Sequence, residues 1–141
     1  MFKQSIVIIG LFSLTACALI PKNNDKIIPK DTPESKVITI IQQDQVIRSS
    51  PLNKDFVTTN LTIDGEEVQR YFKRKTVARR YPAPKSIMIT CRHSSGINYV
   101  VTRWNTHFFN EKLEEGKTYT FMCEGLDSYK VTVGDFSQLM Q

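Results

Sequence analysis

The amino-acid sequence predicts a small, mainly β domain, built as an antiparallel β-sandwich or an OB-like barrel of six to seven short strands. From Val37 onward, short β-branched or alternating runs are separated by turn residues. Two pairs of these runs flank strong hairpin turns, and two cysteines fall on the apolar sides of their runs. At 141 residues, 40% of them hydrophobic and 23% charged, the chain has the length and composition of one globular domain.

The predicted strands follow one another along residues 37–141. Residues 37–41 are all β-branched and form the first strand. An Asp64-Gly65 pair joins the run 56–63 to the residues from Glu66 onward, and such a pair suits a type I′ hairpin turn because both central residues need positive φ. The other predicted runs are 86–92 and 97–104, which flank Ser94-Ser95-Gly96, and then 117–123 and 129–133. Residues 136–141 form either a short helix or an irregular tail.

Residues 66–81 have two interpretations. One is a strand that continues to Phe72 and is followed by a loop. The other is a helix, since Glu66 and Arg70 are four residues apart and Val68 shares a helical face with Tyr71 and Phe72. We favour the strand because of the preceding Asp-Gly turn, and either element ends at the prolines of residues 81–84.

Cys91 and Cys123 are predicted to form a disulfide bond. Cys91 shares a strand face with Ile87 and Ile89, and Cys123 shares one with Tyr119 and Phe121. The apolar faces of the two strands would meet in the core, and a bridge closing a loop of about 33 residues would stabilise the domain by roughly 3–4 kcal/mol. Two other chemistries are weaker alternatives: a nucleophilic pair of Cys91 with His93, and a zinc site. The zinc ligands would be Cys91, His93, His107 and Cys123, but their spacing is not that of a structural zinc site.

Residues 1–16 have the features of a signal peptide. Lys3 supplies the positive charge, residues 5–14 are apolar, and the stretch is shorter than the roughly 20 residues that a membrane-spanning helix needs. The segment closes with Leu14-Thr15-Ala16-Cys17, which resembles the lipobox of bacterial lipoproteins. An ordinary secretory signal and a retained membrane helix are the alternatives.

The resemblance to bacterial lipoproteins implies that Cys17 becomes the N-terminal residue and carries covalent lipid. Two or more acyl chains hold a protein durably at a membrane. Position 18 is Ala and not Asp, which in this class implies an outer-membrane protein facing the periplasm. Residues 17–36 contain three prolines and little apolar periodicity, so we interpret them as a tether between the lipid and the domain.

Positive charge is concentrated in one part of the chain. The chain has 19 Lys and Arg against 14 Asp and Glu, and no acidic residue lies between Val68 and Asn110. Six basic residues within this stretch are candidates for binding an anionic envelope component such as lipopolysaccharide or an acidic polymer: Arg70, Lys73, Arg74, Lys75, Arg79 and Arg80. The alternative, which we favour, is a solvated loop or edge strand whose charges prevent aggregation.

The sequence predicts a non-enzymatic function. It contains no recognisable set of catalytic residues, metal ligands or cofactor-binding residues, and the predicted compartment argues against nucleic acid as a partner. Trp104 is interpreted as a core or rim residue, with a ligand-stacking platform as the alternative. The leading hypothesis is a membrane-anchored accessory or assembly subunit that docks an envelope protein, and the second is a binding module for an anionic component through residues 70–92.

Overall fold

The structure, a computed structural model, describes residues 28–49, 54–70, 74–95 and 100–135 and confirms the mainly β prediction. A 3-10 turn, η1 (Glu34–Lys36), is the only helical turn in these ranges. Nine strands follow it: β1 (Ile38–Gln43), β2 (Gln45–Ser49), β3 (Lys54–Ile63), β4 (Glu66–Glu67), β5 (Lys75–Arg80), β6 (Ile87–Ser95), β7 (Val100–Phe109), β8 (Lys117–Cys123) and β9 (Tyr129–Asp135).

The strands form two sheets that pack face to face as a sandwich and do not close into a barrel. Sheet A has the order β5-β1-β8-β9, and sheet B has the order β2-β3-β6-β7 with β4 paired to β3. All pairs are antiparallel except β1 with β8, which is parallel. The predicted antiparallel sandwich is therefore found with one parallel pair, which forms where the chain returns from β6 and β7 of sheet B to lie beside β1.

The chain passes from sheet A to sheet B at Asp44, the single residue between β1 and β2. Its backbone N–H donates to the carbonyl of Arg74 at 2.8 Å, and its side-chain Oδ1 accepts from the backbone N–H of Thr59 at 3.0 Å. These two bonds secure the corner at which the strand changes sheets. Strand β2 was not predicted, because it is short and because Asp44 separates it from the apolar run of β1.

The interpretations of residues 66–81 were both incomplete. β4 is a two-residue strand, after which Val68 is buried and its N–H donates to the carbonyl of Leu61 at 2.8 Å. The prediction of a strand at Glu66 is therefore confirmed, but its extension to Phe72 does not hold at residues 68–70, which are irregular. The expected loop after it contains β5, a charged edge strand that was not predicted.

The core lies between the two sheets and is formed by alternate residues of the inner strands. The buried apolar side chains include Ile38, Ile40, Val57, Leu61, Ile63, Ile87, Ile89, Cys91, Tyr119, Phe121 and Cys123. The sulfur atoms of Cys91 in β6 and Cys123 in β8 are bonded at 2.04 Å, so the disulfide prediction is confirmed. The bond joins sheet B to sheet A within the buried core.

Two tight turns depend on glycine. Asp64 and Gly65 have φ of 49° and 82°, as the predicted type I′ hairpin turn between β3 and β4 requires. Gly116, before β8, has φ of 77°, and a Cβ placed on it would lie 2.6 Å from the carbonyl oxygen of Ser35 in η1. Part of the predicted tether, residues 34–36, therefore packs closely against the domain.

Candidate docking face

Strand β7 directs its alternate residues to the two sides of sheet B. Phe109 points inward, where its ring meets that of Phe121 edge to face at a centroid distance of 5.2 Å. His107 points to the same side: its Nε2 donates to the carbonyl of Leu126 at 2.7 Å, and its ring contacts that of Tyr129. The period of two along a strand then places Trp104, Thr106 and Phe108 on the outer side.

Trp104 and Phe108 are the most exposed large apolar side chains in the described residues. Their relative exposures are 69% and 66%, and their Cα atoms lie about 14 Å apart along the strand. The register of β6 with β7 places Arg92 beside Trp104, Thr90 beside Thr106, and Met88 beside Phe108. We call these six residues, Met88, Thr90, Arg92, Trp104, Thr106 and Phe108, the aromatic face.

The aromatic face is held by strand pairing and by three side-chain contacts. The hydroxyls of Thr90 and Thr106 are 3.5 Å apart across the strands. Asn105 accepts from the backbone N–H of Thr106 at 2.9 Å through its Oδ1, and its Nδ2 lies 3.4 Å from Asp127. The aromatic face therefore lies on two regularly paired strands. Its β7 residues and Arg92 are exposed, whereas Met88 and Thr90 are half-buried.

Arg92 is the only charged member of the aromatic face. Nearby, Arg70 donates to Asn60 of β3 and its guanidinium is half-buried. Burial lowers the pKa of Arg70, and the positive charge of Arg92 lowers it further. The face therefore combines two exposed aromatic rings, two hydroxyls, a thioether and one cation. These groups can stack on apolar surface and bind a carboxylate.

A cleft of about 410 Å³ adjoins the aromatic face at Phe108. It lies between the loop that precedes β6 and the loop that follows β7, and it is lined by residues 83–87 and 108–113. Asp64 orders the first loop, since its Oδ1 accepts from the backbone N–H groups of Lys85 at 2.8 Å and Ser86 at 2.9 Å. The cleft extends the aromatic face toward one end of the sandwich.

Three of the six basic residues predicted to bind anions make contacts within the domain. Arg70 forms an ion pair with Asp44, and its Nη1 donates to Asn60 at 3.1 Å. Arg79 forms an ion pair with Glu34 of η1. Arg80 is buried, and its Nη1 donates to the backbone carbonyl of Arg79 at 2.9 Å.

The other three candidates differ in what the structure describes. Arg74 and Lys75 are exposed, at the beginning of β5, whereas Lys73 lies outside the described residues. Alternation along β5 directs Lys75 and Arg79 outward and Arg80 inward, so the stretch is not a single basic surface. Among the described candidates, Arg74 and Lys75 are the two exposed bases that form no ion pair.

The cysteine chemistries considered as alternatives both need a free thiol. Cys91 and Cys123 are fully buried and bonded to each other, so neither sulfur is available as a nucleophile or as a thiolate ligand. No group of three or more potential metal ligands occurs among the residues that the structure describes. The predicted lipid site, Cys17, and the predicted tail helix at residues 136–141 lie outside those residues.

Comparisons with protein families, with characterised proteins and with solved structures add no relative to this description. None of the three finds a match to this chain. Within residues 28–49, 54–70, 74–95 and 100–135, no helix is long and apolar enough to cross a membrane.

Of the aromatic face, Trp104 was recognised from the sequence as a candidate, and the other members were not. Trp104 was interpreted as a core or rim residue, and the structure places it in solvent. The alternation that put Ile87, Ile89 and Cys91 inward also puts Met88, Thr90 and Arg92 outward. Phe108 could have been found by continuing the hairpin register from that strand, but the predicted second strand ended at Trp104.

Proposed function

We propose that this protein is an envelope lipoprotein, anchored by acyl chains on Cys17, whose sandwich docks a protein partner at the aromatic face. The observation that carries the proposal is the exposure of Trp104 and Phe108 on one side of sheet B, which the disulfide bond joins to sheet A. Aromatic side chains on a rigid surface are typical anchors of protein interfaces, because they bury much area with little loss of conformational freedom.

The composition of the aromatic face defines the partner's chemistry. Two rings and Met88 require an apolar surface, and Arg92 requires a carboxylate within or beside it. The threonine hydroxyls add hydrogen bonds that orient the partner. In this role the domain contributes a surface and no reacting group.

The docking proposal can be tested by site-specific photocrosslinking in cells that carry the native envelope. A photoreactive residue at Thr90, in the middle of the aromatic face, should capture one defined protein. The same residue at Thr132, which is exposed on β9 of sheet A, should not capture it. A Trp104→Ser, Phe108→Ser double variant should lose the product formed from position 90. Equal capture from both positions, or capture that is unaffected by the double variant, would contradict docking at this face.

A binding measurement with the purified, identified partner completes the test. Trp104 is the only tryptophan in the chain, so its fluorescence reports on the aromatic face directly. Docking should shift its emission to shorter wavelength and protect it from acrylamide quenching, because the ring leaves water. An unchanged emission in the bound state would place the interface elsewhere.

The anchor is tested separately by labelling with an alkyne-bearing fatty acid. We expect labelling of the parent chain and of a Cys91→Ser, Cys123→Ser double variant, and none of Cys17→Ser. Label that persists in Cys17→Ser would rule out Cys17 as the lipid site.

A further inference from the structure

The aromatic face lies at an open edge of sheet B. Within the described residues, the strand order β2-β3-β6-β7 gives β7 one neighbour, so no described strand pairs with the backbone N–H and C=O groups of its second edge. The adjacent Thr90 and Thr106 hydroxyls indicate a pair of the closely spaced, non-hydrogen-bonded type. In such a pair the backbone groups of Thr106 point away from β6, and its N–H is bonded by the neighbouring Asn105 side chain. Trp104 and Phe108 share this orientation, since they lie two residues away on either side.

The other long edges of the sandwich carry features that oppose strand pairing. β5 has charged Lys75 and Arg79 on its outer side, and β9 has Lys130 followed by Gly134. β2 is five residues long and is interrupted by a register shift next to Arg48. In β7 the segment from Arg103 to Phe109 has no proline, glycine or lysine and pairs regularly with β6. Edges without such protection are the ones at which chains associate.

We propose that two copies of this chain associate through antiparallel pairing of their β7 strands, with the two-fold axis at Thr106. In this register Trp104 lies opposite Phe108 of the second copy, and Phe108 lies opposite its Trp104. Residues 104, 106 and 108 all direct their N–H and C=O groups outward, so each of the three pairs has the geometry to exchange two backbone hydrogen bonds. At the axis, the bond from the Thr106 N–H to Asn105 Oδ1 is exchanged for one to the second copy. The segment 103–109 pairs along its whole length in this register.

Side-chain chemistry selects this register over its neighbours. Cross-strand aromatic pairs are favourable, and like charges directly opposite each other are unfavourable. With the axis at Thr106, Arg103 lies opposite Phe109 of the second copy and meets no cation. Moving the axis by one residue to Asn105 would place Trp104 opposite Thr106 and lose both aromatic pairs.

Association at the edge enlarges the docking face and does not cover it. Strands that pair in the plane of a sheet leave the outer sides of both sheets open. The joined sheet would carry four aromatic rings in one cluster, with an Arg92 on either side of it. The inference extends the proposed function, but the pairing of two copies can be true or false whether or not a different protein docks.

The experiment uses the full chain, purified in a mild non-ionic detergent, with Thr106→Cys as the reporting variant. On the two-fold axis the Cα atoms of two hydrogen-bonded residues are about 5.5 Å apart, which lies within the range that a disulfide spans. Mild oxidation should convert most of the variant to a covalent dimer. Thr132→Cys and the parent chain are the controls, and they measure random collision and any contribution of Cys17.

Light scattering gives the second readout. The parent chain should have twice the monomer mass, and Trp104→Ser should raise the dimer dissociation constant about tenfold or more, because Trp104 takes part in both aromatic pairs. Val133→Ser, which removes an exposed apolar side chain from β9, should leave it unchanged. A monomeric parent, or crosslinking of Thr106→Cys no greater than that of Thr132→Cys, would overturn the pairing of β7 strands. Docking of a different protein would still be decided by the crosslink from position 90.

Discussion

Strands β8 and β7 use aromatic residues in opposite ways. β8 lies between β1 and β9 in sheet A, and its Phe121 is fully buried against sheet B. β7 lies at the edge of sheet B, and its Phe108 is 66% exposed. Both residues are phenylalanines in regular strands, so residue type does not distinguish them. The side of the sheet to which each points determines whether the ring holds the two sheets together or is available to a partner.

The largest difference between the two strands should appear in their alanine variants. Phe121→Ala should lower the free energy of unfolding by about 3–5 kcal/mol, since it leaves a cavity between the sheets. Phe108→Ala should change it by no more than about 0.5 kcal/mol, because the ring is already in solvent. Urea denaturation followed by far-ultraviolet circular dichroism, at low protein concentration, measures both. Comparable losses in the two variants would mean that Phe108 is part of the core.

Removing the disulfide should lower the stability of the domain without changing the aromatic face. Replacing both Cys91 and Cys123 by Ala should lower the free energy of unfolding by about 2–4 kcal/mol, because the unfolded chain is no longer cross-linked. The emission maximum of Trp104 in the folded state should stay the same, since its ring contacts solvent and not the bridge. Cys17→Ala is the control and should unfold like the parent. A shifted Trp104 emission would show that the bridge also positions the aromatic face.

Substituting Gly116 tests the close contact between the turn that precedes β8 and η1. Both Gly116→Ala and Gly65→Ala place a Cβ on a residue with positive φ, at a cost of about 1–2 kcal/mol. The added Cβ of Gly116→Ala would also lie 2.6 Å from the backbone of Ser35, whereas that of Gly65→Ala meets nothing within 4 Å. We therefore expect Gly116→Ala to be the more destabilising of the two in thermal unfolding. Equal losses would show that η1 moves away from β8 at little cost.

The smallest effect is expected at the edge formed by β5. Arg74→Gln with Lys75→Gln should leave binding of the chain to phosphatidylglycerol vesicles within about twofold, since two isolated bases form a weak site. Bases that do contact an anionic bilayer contribute about 1 kcal/mol each. A salt-dependent loss of tenfold or more would therefore support the alternative, in which residues 70–92 bind an anionic component.

Much of the fold was predictable because its strongest local patterns are also the ones that the core uses. β8 was predicted with its observed bounds, and the hairpins β3–β4 and β6–β7 were predicted from turn residues. β2 and β5 were missed because their side chains are polar or charged and because pairing, not hydrophobicity, makes them strands. The parallel pairing of β1 with β8 depends on contacts between distant segments and has no local pattern.

The candidate site was less predictable than the fold. Trp104 was visible as the only tryptophan, but exposure depends on what lies above a side chain and not on its identity. The basic stretch was visible as well, yet three of its six candidate residues make contacts within the domain. The two ion pairs join residues 26 and 45 positions apart, so no local pattern in the sequence indicates them.

The sequence by itself determined that the chain makes strands, where its sharpest turns lie, and which two cysteines pair, because these properties depend on alternation and on local backbone preferences. It also contains the lipobox-like residues that make Cys17 the predicted anchor. Only the tertiary structure decided which strands lie at an edge and which basic side chains form ion pairs or hydrogen bonds within the domain. It also decided that Trp104 and Phe108 stand together in solvent. Those outcomes follow from how two sheets pack, and packing brings together residues that are far apart in the chain.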